Sequence, residues 1–262
     1  FGGNMVNFQK VKHMGIVTIP SLFTIGNITC GFFSILASVE GDFSFAGLLI
    51  FIAMLFDAFD GRVARMLHAE SSFGVEMDSL ADLISFCAAP AFLIYYIALR
   101  ETPFGAPIAF IFMLFGAIRL AKFNVLANSG KGSKKHFSGL PTPAAAAVLV
   151  SLALSYDALS LDEVRRVLPI AKVYIPYIFS AVSFVTLGLA LLMVSNIPYA
   201  SFKSKPTGQN RKVTLGKFLF LAVLIILFIK YPQDIVFIVF GLYAMIGLIV
   251  AFVRKFMTLN SK

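Results

Sequence analysis

The chain has 262 residues, of which 59% are hydrophobic and 13% are charged, and its formal net charge is +9. A composition this apolar excludes an ordinary soluble domain and is typical of a protein that crosses a membrane several times. The two cysteines, Cys30 and Cys87, both lie in apolar segments. We therefore expect neither a disulfide nor a zinc site and assign both residues to packing.

Apolar segments long enough to cross a bilayer follow one another along the whole chain. The sequence therefore predicts an all-α fold, a polytopic membrane helix bundle of about eight transmembrane helices. An even number of spans places both termini on the same side. The predicted spans cover about residues 19–39, 43–66, 75–99, 105–126, 140–157, 170–195, 214–231 and 233–253.

Basic residues are divided unequally between the two sides that these spans define. One side would carry 17 of the 22 Lys and Arg residues. The positive-inside rule then places both termini in the cytoplasm. This topology, with attraction to anionic lipid head groups, accounts for the net charge, so we predict membrane lipids and no nucleic acid as partners.

The stretch 57–82, DAFDGRVARMLHAESSFGVEMDSLAD, places four aspartates between two apolar helices. Asp57 and Asp60 are spaced i, i+3, whereas Asp78 and Asp82 are spaced i, i+4, so each pair shares one helical face. A charge at the centre of a membrane helix costs about 2.5–3.5 kcal/mol. Two antiparallel helices joined near residues 68–74 would bring both pairs together and allow a shared ligand to offset that cost.

Four carboxylates at one point are suited to Mg²⁺ or Mn²⁺, which prefer hard oxygen ligands. Gly61 and Ala64 remove side-chain bulk beside them, and Gly74 permits a tight entry into the second helix. The alternatives are solvated charges at helix ends, or an ion-coupled transporter. A transporter would spread its carboxylates across the depth of the membrane.

The same stretch reads D-x2-D-G-x2-A-R-x8-G-x3-D-x3-D and resembles the signature of the CDP-alcohol phosphatidyltransferase family at every fixed position. The motif covers only 26 of the 262 residues. The resemblance implies that an alcohol attacks a CDP-linked lipid and CMP leaves. It also implies a site for two metal ions, Mg²⁺ or Mn²⁺, and a homodimer.

The resemblance further implies a role for each residue of the motif. Asp57, Asp60 and Asp78 would bind metal, and Asp82 would be the general base that takes the alcohol proton, with a metal contact also open to it. Family members often carry Pro-Asn where this chain has Pro20-Ser21, and Pro20 suits a helix start. The residues that would contact the CDP-lipid are Gly61, Ala64, Arg65, Gly74, Asn27 and Ser21. For Asn27, a hydrogen bond between helices is the alternative.

Two shorter runs, R-L-A-K-F-N and G-L-P-T-P-A-A-A, resemble the phosphatidylserine synthase branch, in which Arg is more common at the position of Lys122. This resemblance implies CDP-diacylglycerol and L-serine as substrates, with Arg119, Lys122 and Asn124 at the acceptor. Glycerol 3-phosphate and inositol phosphate are the alternative acceptors. Arg119 could instead be an interfacial arginine that extends to the head groups.

The remaining regions carry weaker signals. Residues 128–138 are predicted to form a flexible basic loop, in which Lys131, Lys134 and Lys135 bind lipid phosphate or only follow topology. We divide the chain into a catalytic core, 1–200, and a segment 201–262 of a basic loop and two apolar spans. That segment resembles a scaffold added to the six-span core typical of the family. The resemblance and charge pattern together predict a prokaryotic cytoplasmic membrane, with the active site on its cytoplasmic side.

Overall fold

A computed structural model of the protein describes residues 3–67, 72–128, 136–160, 167–200 and 230–260. This part of the chain is almost entirely helical, as its apolar runs predict. Its α-helices, numbered in chain order, are α1 (Gly3–Glu40), α2 (Phe43–Leu67), α3 (Ser72–Asp82), α4 (Ala89–Ile94), α5 (Gly105–Asn128), α6 (Thr142–Ser160), α7 (Ala171–Ser180), α8 (Val182–Val194) and α9 (Pro232–Asn260).

Six helical stretches within the described ranges are long and apolar enough to cross a membrane. The pair α7 and α8, bent by 79°, forms a seventh candidate if it is one broken span. These segments match seven of the predicted spans, whereas the predicted span 214–231 lies mostly outside the described residues. Large apolar side chains such as Phe184, Tyr177 and Leu191 are exposed on the outer surface. That surface suits lipid, and the prediction of a polytopic membrane helix bundle is confirmed.

Helix α6 lies at the centre of the bundle and α9 at its periphery. The share of the spanning window that is buried is 72% for α6 and 17% for α9, with the other full-length spans between them. The run Ala144–Ala147 is buried throughout. Small side chains let neighbouring helices approach closely, which in a membrane is a main source of packing energy.

The third span is not a regular α-helix from end to end. The π-helical segment Leu83–Ala88 joins α3 to α4, and a second, Tyr95–Leu99, follows α4. Such segments, with their wider turn, frequently occur at functional sites. The first begins directly after Asp82, so the last aspartate of the motif stands at the change in helical geometry.

Two short strands depart from the predicted all-helical pattern. Strand β1 (His136–Ser138) pairs antiparallel with β2 (Pro198–Ala200), and Phe137 lies opposite Tyr199. The loop predicted at 128–138 is therefore ordered over its last three residues, while 129–135 lie outside the described ranges. The paired residues are 60 to 64 positions apart in sequence, which explains why local patterns do not predict the pairing.

The first helix also starts earlier than expected. Helix α1 begins at Gly3 and continues through Pro20, which we had predicted as a helix start. Its spanning portion is Leu22–Glu40, which agrees with the predicted first span.

Candidate active site

Three of the four motif aspartates converge. Asp57 on α2 and Asp78 and Asp82 on α3 each offer a carboxylate oxygen, and these oxygens lie within 4.8 Å of one another. The i, i+4 spacing of Asp78 and Asp82 puts both on the face of α3 that meets Asp57. Among the described residues, these form an acidic group able to hold a metal ion.

Asp60 is close to this group but not in it. Its side chain is buried, at 6% exposure, and its Oδ2 accepts a hydrogen bond from Thr24 Oγ1 on α1. Asp60 remains near enough to interact electrostatically with Asp78. The predicted set of four carboxylates is therefore divided into a group of three and a fourth held by a neighbouring helix.

The donor set fits a divalent cation. Two ionised carboxylates about 5 Å apart repel by about 3 kcal/mol at an effective dielectric constant of about 20. Three such groups are therefore unstable together unless protons or a cation neutralise them. Carboxylate oxygens are the ligands that Mg²⁺ and Mn²⁺ favour. Asp57, Asp78 and Asp82 would hold the ion, with Asp60 at the edge of the site.

Buried polar atoms without a hydrogen-bond partner among the described residues lie at and around Asp82. The Asn27 amide on α1 and the Arg119 guanidinium on α5 both lie beside its carboxylate. Within the described part of the chain, no hydrogen bond reaches either amide atom of Asn27, Oδ1 of Asp82 or Nε of Arg119. Buried polar atoms are nearly always hydrogen-bonded in native proteins. Several unpaired ones at one point are the pattern expected of a site for a polar ligand.

Close helix contacts position Asp82. A Cβ atom on Gly31 of α1 would lie 2.9 Å from Ser85 Cα, and one on Gly116 of α5 would lie 3.0 Å from Cys87 Cβ. Ser85 Oγ also donates a 2.8 Å hydrogen bond to the Asn27 carbonyl. The π-helical turn after Asp82 is thus enclosed between two glycines, which hold the carboxylate at a defined place between α1 and α5.

The three predicted acceptor residues have different surroundings. Arg119 is 9% exposed, and its Nη1 donates to Thr142 Oγ1 at the start of α6, at 3.3 Å. Lys122 Nζ instead donates to Asn196 Oδ1 at 2.7 Å. Asn124 Nδ2 donates to Ser79 Oγ at 2.9 Å. Only Arg119 of the three interacts with Asp82.

The residues predicted to contact the CDP-lipid are only partly described. Asn27 lies beside Asp82, and Gly61 is half-buried on α2 near the aspartates. Gly74 lies inside the first turn of α3 and has no positive φ, so the tight entry expected there does not use its conformational freedom. The side chains of Ser21, Ala64 and Arg65 lie outside the described part of the structure.

Four site residues were not predicted from the sequence. Thr24 contacts Asp60, Thr142 contacts Arg119, Asn196 contacts Lys122, and Tyr243 on α9 interacts electrostatically with Arg119. Thr24 precedes Asn27 by three positions, so their shared helical face was a usable signal.

A bundle of apolar spans with carboxylates gathered from two of its helices defines an integral membrane protein with a site suited to a divalent metal. The sequence also matches the family model of the CDP-alcohol phosphatidyltransferases over residues 17–178. The chain belongs to this family, which confirms the resemblance of the motif. Enzymes of the family use divalent metals, in agreement with the acidic group.

The chain is similar to several characterised relatives over most of its length. The CDP-diacylglycerol–serine O-phosphatidyltransferase of Helicobacter pylori (strain ATCC 700392 / 26695) is 36% identical over 233 residues, 88% of this chain and 89% of the relative. The enzyme of that name from Bacillus subtilis (strain 168) is 36% identical, over 73% of this chain and 94% of the relative. The archaetidylserine synthase of Methanothermobacter thermautotrophicus is 34% identical, over 74% of each chain.

Proposed function

We propose that this protein is an integral-membrane enzyme that transfers a phosphatidyl group from CDP-diacylglycerol to L-serine and releases CMP. Family membership supports the reaction class. Serine occurs in the names of relatives from bacteria and an archaeon, which supports the acceptor. The observation that carries the proposal is the convergence of Asn27, Asp82 and Arg119, each with an unpaired buried polar atom, beside the acidic group.

Asp57 and Asp78 are assigned to metal binding, with Asp60 as a further ligand at the edge of the site and Asp82, a member of the same acidic group, open to a metal contact. A pair of divalent ions there, Mg²⁺ or Mn²⁺, would neutralise the diphosphate and stabilise the leaving phosphate. Phosphoryl transfer depends mainly on positioning and charge neutralisation, which suits a site built from fixed helices. Thr24 supports this assignment because its hydrogen bond restricts the rotamer of Asp60.

Asp82 is assigned as the general base. The serine hydroxyl oxygen forms a bond to the phosphorus next to diacylglycerol, and the bond from that phosphorus to the CMP oxygen breaks. The proton of the hydroxyl passes to Asp82, whose Oδ1 has no hydrogen-bond partner among the described residues. A placed base typically contributes about 10²–10⁴ in rate.

Arg119 is assigned to the serine carboxylate. A guanidinium binds a carboxylate through two parallel hydrogen bonds, and its unpaired Nε leaves one donor free for this purpose. The Nη1 of Arg119 already donates a hydrogen bond to Thr142 on α6. Lys122 and Asn124, engaged by Asn196 and Ser79, form the polar rim of the acceptor site.

The nucleotide is assigned to the other side of the aspartates. Gly61 and Ala64 leave space for it on α2, and Gly74 does so on α3. Arg65 offers a charge-assisted hydrogen bond to its phosphates. Asn27 and Ser21 approach from α1. Asn27 supports this assignment because its buried amide, at 1% exposure, has no partner in the described structure.

The test is an acceptor panel with the purified full chain. CMP release from CDP-diacylglycerol is measured with Mn²⁺ or Mg²⁺ and, separately, L-serine, glycerol 3-phosphate or inositol phosphate. We expect release with serine alone. Release only with another alcohol would keep the reaction class and overturn the acceptor. Metal flux into sealed vesicles without CMP would instead indicate a transporter. Two other buried aspartates do not support the transporter. Asp157 accepts a hydrogen bond from Ser44, and Asp234 accepts one from Ser155.

The orientation of the site is a further part of the proposal. The positive-inside rule places both termini and the aspartates on the cytoplasmic side of a prokaryotic membrane. The native cysteines are buried, so an introduced cysteine can be labelled selectively. A membrane-impermeant maleimide should label Glu101→Cys in intact cells and Met66→Cys only after permeabilisation. The reverse pattern would overturn the orientation.

Two assignments rest on family likeness and sequence pattern. The core is assigned to 1–200 and the segment 201–262 to an addition. The family match over 17–178 supports the first part. A homodimer is expected, and cross-linking in native membranes should capture a species of twice the chain mass. Recovery of monomer alone would contradict it.

A further inference from the structure

The chain that leads into α6 is held tightly against the end of α8 and the segment after it. The backbone N–H of Gly139 donates to the Ile197 carbonyl, and that of Leu140 donates to the Leu192 carbonyl, each at 2.9 Å. Gly139 has a φ of +83°, and a Cβ atom there would collide with the Met193 carbonyl oxygen. The side chain of Leu140 is fully buried. The place where α6 begins is therefore fixed by contacts with another helix.

Thr142, the first residue of α6, presents a hydroxyl at this fixed place. Its side chain is fully buried, and its Oγ1 accepts the hydrogen bond from Arg119 Nη1 at 3.3 Å. A hydroxyl carries one donor proton besides its acceptor lone pairs. Since the contact with Arg119 uses a lone pair, the proton of Thr142 remains available for a second partner.

The first turn of α6 adds backbone donors beside this hydroxyl. The N–H of Ala145 donates to the Pro141 carbonyl at 3.0 Å, and N–H groups that precede such a first bond have no partner within the helix. Pro143 has no N–H, so the groups in question are those of Thr142 and Ala144, which are both buried. The start of a helix also carries a partial positive charge, and helix starts commonly bind anions.

Arg119 supplies independent evidence that an anion binds at this helix start. It is 9% exposed, and among the described residues neither its Nε nor Asp82 Oδ1 has a hydrogen-bond partner, so these two atoms do not pair with each other. Three residues before it, Gly116 packs on the π-helical turn after Asp82, where an added Cβ would lie 3.0 Å from Cys87 Cβ. A guanidinium is repelled by the positive end of a helix, whereas an anion bound to both would be attracted by both.

We infer that Thr142 and the first turn of α6 complete, with Arg119, the subsite for the carboxylate of the acceptor. This inference rests on the proposed function, because it uses Arg119 as the ligand of that carboxylate. The carboxylate accepts hydrogen bonds from Arg119 Nε, from the Thr142 hydroxyl and from the N–H groups at the start of α6. Thr142 therefore has two roles: it orients the guanidinium through Nη1 and contacts the acceptor itself.

The experiment compares steady-state kinetics of the full chain for Thr142→Val, Thr142→Ser and Thr186→Val. Thr186 on α8 is also fully buried, and its hydroxyl donates to the Val182 carbonyl of its own helix, so its variant is the matched control. We expect Thr142→Val to raise the KM for L-serine about tenfold or more, because a hydrogen bond to a charged group is lost. The kcat and the KM for CDP-diacylglycerol should stay within about twofold. Thr142→Ser should recover most of the affinity, and Thr186→Val should change none of these parameters.

A second acceptor tests whether the subsite recognises the charge. The amide of L-serine keeps the hydroxyl, but its carboxamide group is uncharged. The wild type should use it with a much higher KM than L-serine. Thr142→Val should raise the KM for the amide by less than about threefold, so the discrimination between the two acceptors should fall. Equal rises for both acceptors would indicate altered packing and would overturn the inference.

The outcomes separate this inference from the proposed function. If the wild type releases no CMP with serine, the proposed acceptor is wrong, and the variants are compared with the phosphate-bearing alcohol that works, since its phosphate would use the same donors. An unchanged KM for the working acceptor in Thr142→Val would overturn the inference in either case. If Thr142→Val shows no thermal transition in detergent, Thr142→Ala replaces it, and the same KM values decide.

Discussion

Thr24 on α1 donates a hydrogen bond to Asp60 on α2, and both side chains are buried. This contact joins the first two helices at the level of the acidic group. It also explains why Asp60 stands apart from Asp57, Asp78 and Asp82 although it belongs to the same motif. A hydroxyl that restrains Asp60 without being a ligand itself would support a metal ion bound at this acidic group.

Replacing Thr24 by Val should weaken metal binding. Valine keeps the shape but removes the donor, and loss of such an outer partner typically costs about 10–100-fold in metal affinity. We expect the Mn²⁺ concentration for half-maximal CMP release to rise at least tenfold. The Kd for direct Mn²⁺ binding should rise by a similar factor. Thr24→Ser should shift neither. The control is Thr29→Val, because the Thr29 hydroxyl donates only to the Ile25 carbonyl of its own helix. Unchanged binding in Thr24→Val would remove Asp60 from the metal site.

Substitutions of Asp82 and Asp57 should differ in their effects on CDP-diacylglycerol binding and on turnover. Asp82→Asn removes the proposed base while keeping size and polarity, so binding of CDP-diacylglycerol should persist while turnover falls by about 10²–10⁴. Asp57→Asn should lose both, because it removes a ligand of the ion that neutralises the diphosphate. Binding of the CDP-lipid and release of CMP are measured separately. Equal loss of binding in the two variants would contradict this division of roles.

Arg119 should control affinity for the acceptor. Arg119→Lys keeps the charge but loses the planar fork, so we expect the serine KM to rise about tenfold or more while the KM for CDP-diacylglycerol changes little. Lys122→Gln is the matched comparison, since Lys122 is paired with Asn196 and does not interact with Asp82. Its effect should be under about threefold. A larger effect at Lys122 than at Arg119 would reverse the two assignments.

Gly31 should be essential to the close contact between α1 and the turn after Asp82. A methyl group there would collide with Ser85, and overpacking of this kind typically costs about 1–3 kcal/mol. Gly31→Ala should therefore lower the thermal midpoint in detergent by several degrees and reduce kcat by displacing Asp82. Gly188→Ala on α8 is the control, because no atom lies within 4 Å of a Cβ built there. A stable, fully active Gly31→Ala protein would show that this approach is not required.

Local patterns were sufficient for most of the fold. Apolar runs predicted the membrane spans because each span is a contiguous segment whose length must match the bilayer. The bend of 79° between α7 and α8 was not predicted, nor was the pairing of β1 with β2. The strand pairing joins segments distant in sequence, and the bend follows the interruption of the helical backbone at Ala181.

In the candidate site, too, local sequence patterns predicted some features and missed those that depend on contacts between helices. Spacing predicted that Asp78 and Asp82 share a helical face, and composition singled out Asn27 and Arg119 as polar residues in apolar segments. The spacing of residues within one helix does not predict that Lys122 pairs with Asn196 or that Asn124 pairs with Ser79. Those pairings depend on how helices rotate against one another, which no single helix encodes.

The sequence by itself determined the family and the membrane-spanning architecture, and it predicted the carboxylates as metal ligands, because these depend on hydropathy and on spacing within single helices. Only the tertiary structure decided that Asp60 is held by Thr24 and that Asn27 and Arg119 meet at Asp82. The physical reason is that each of these contacts joins side chains from different helices. Their distance is set by packing of small residues across the bundle.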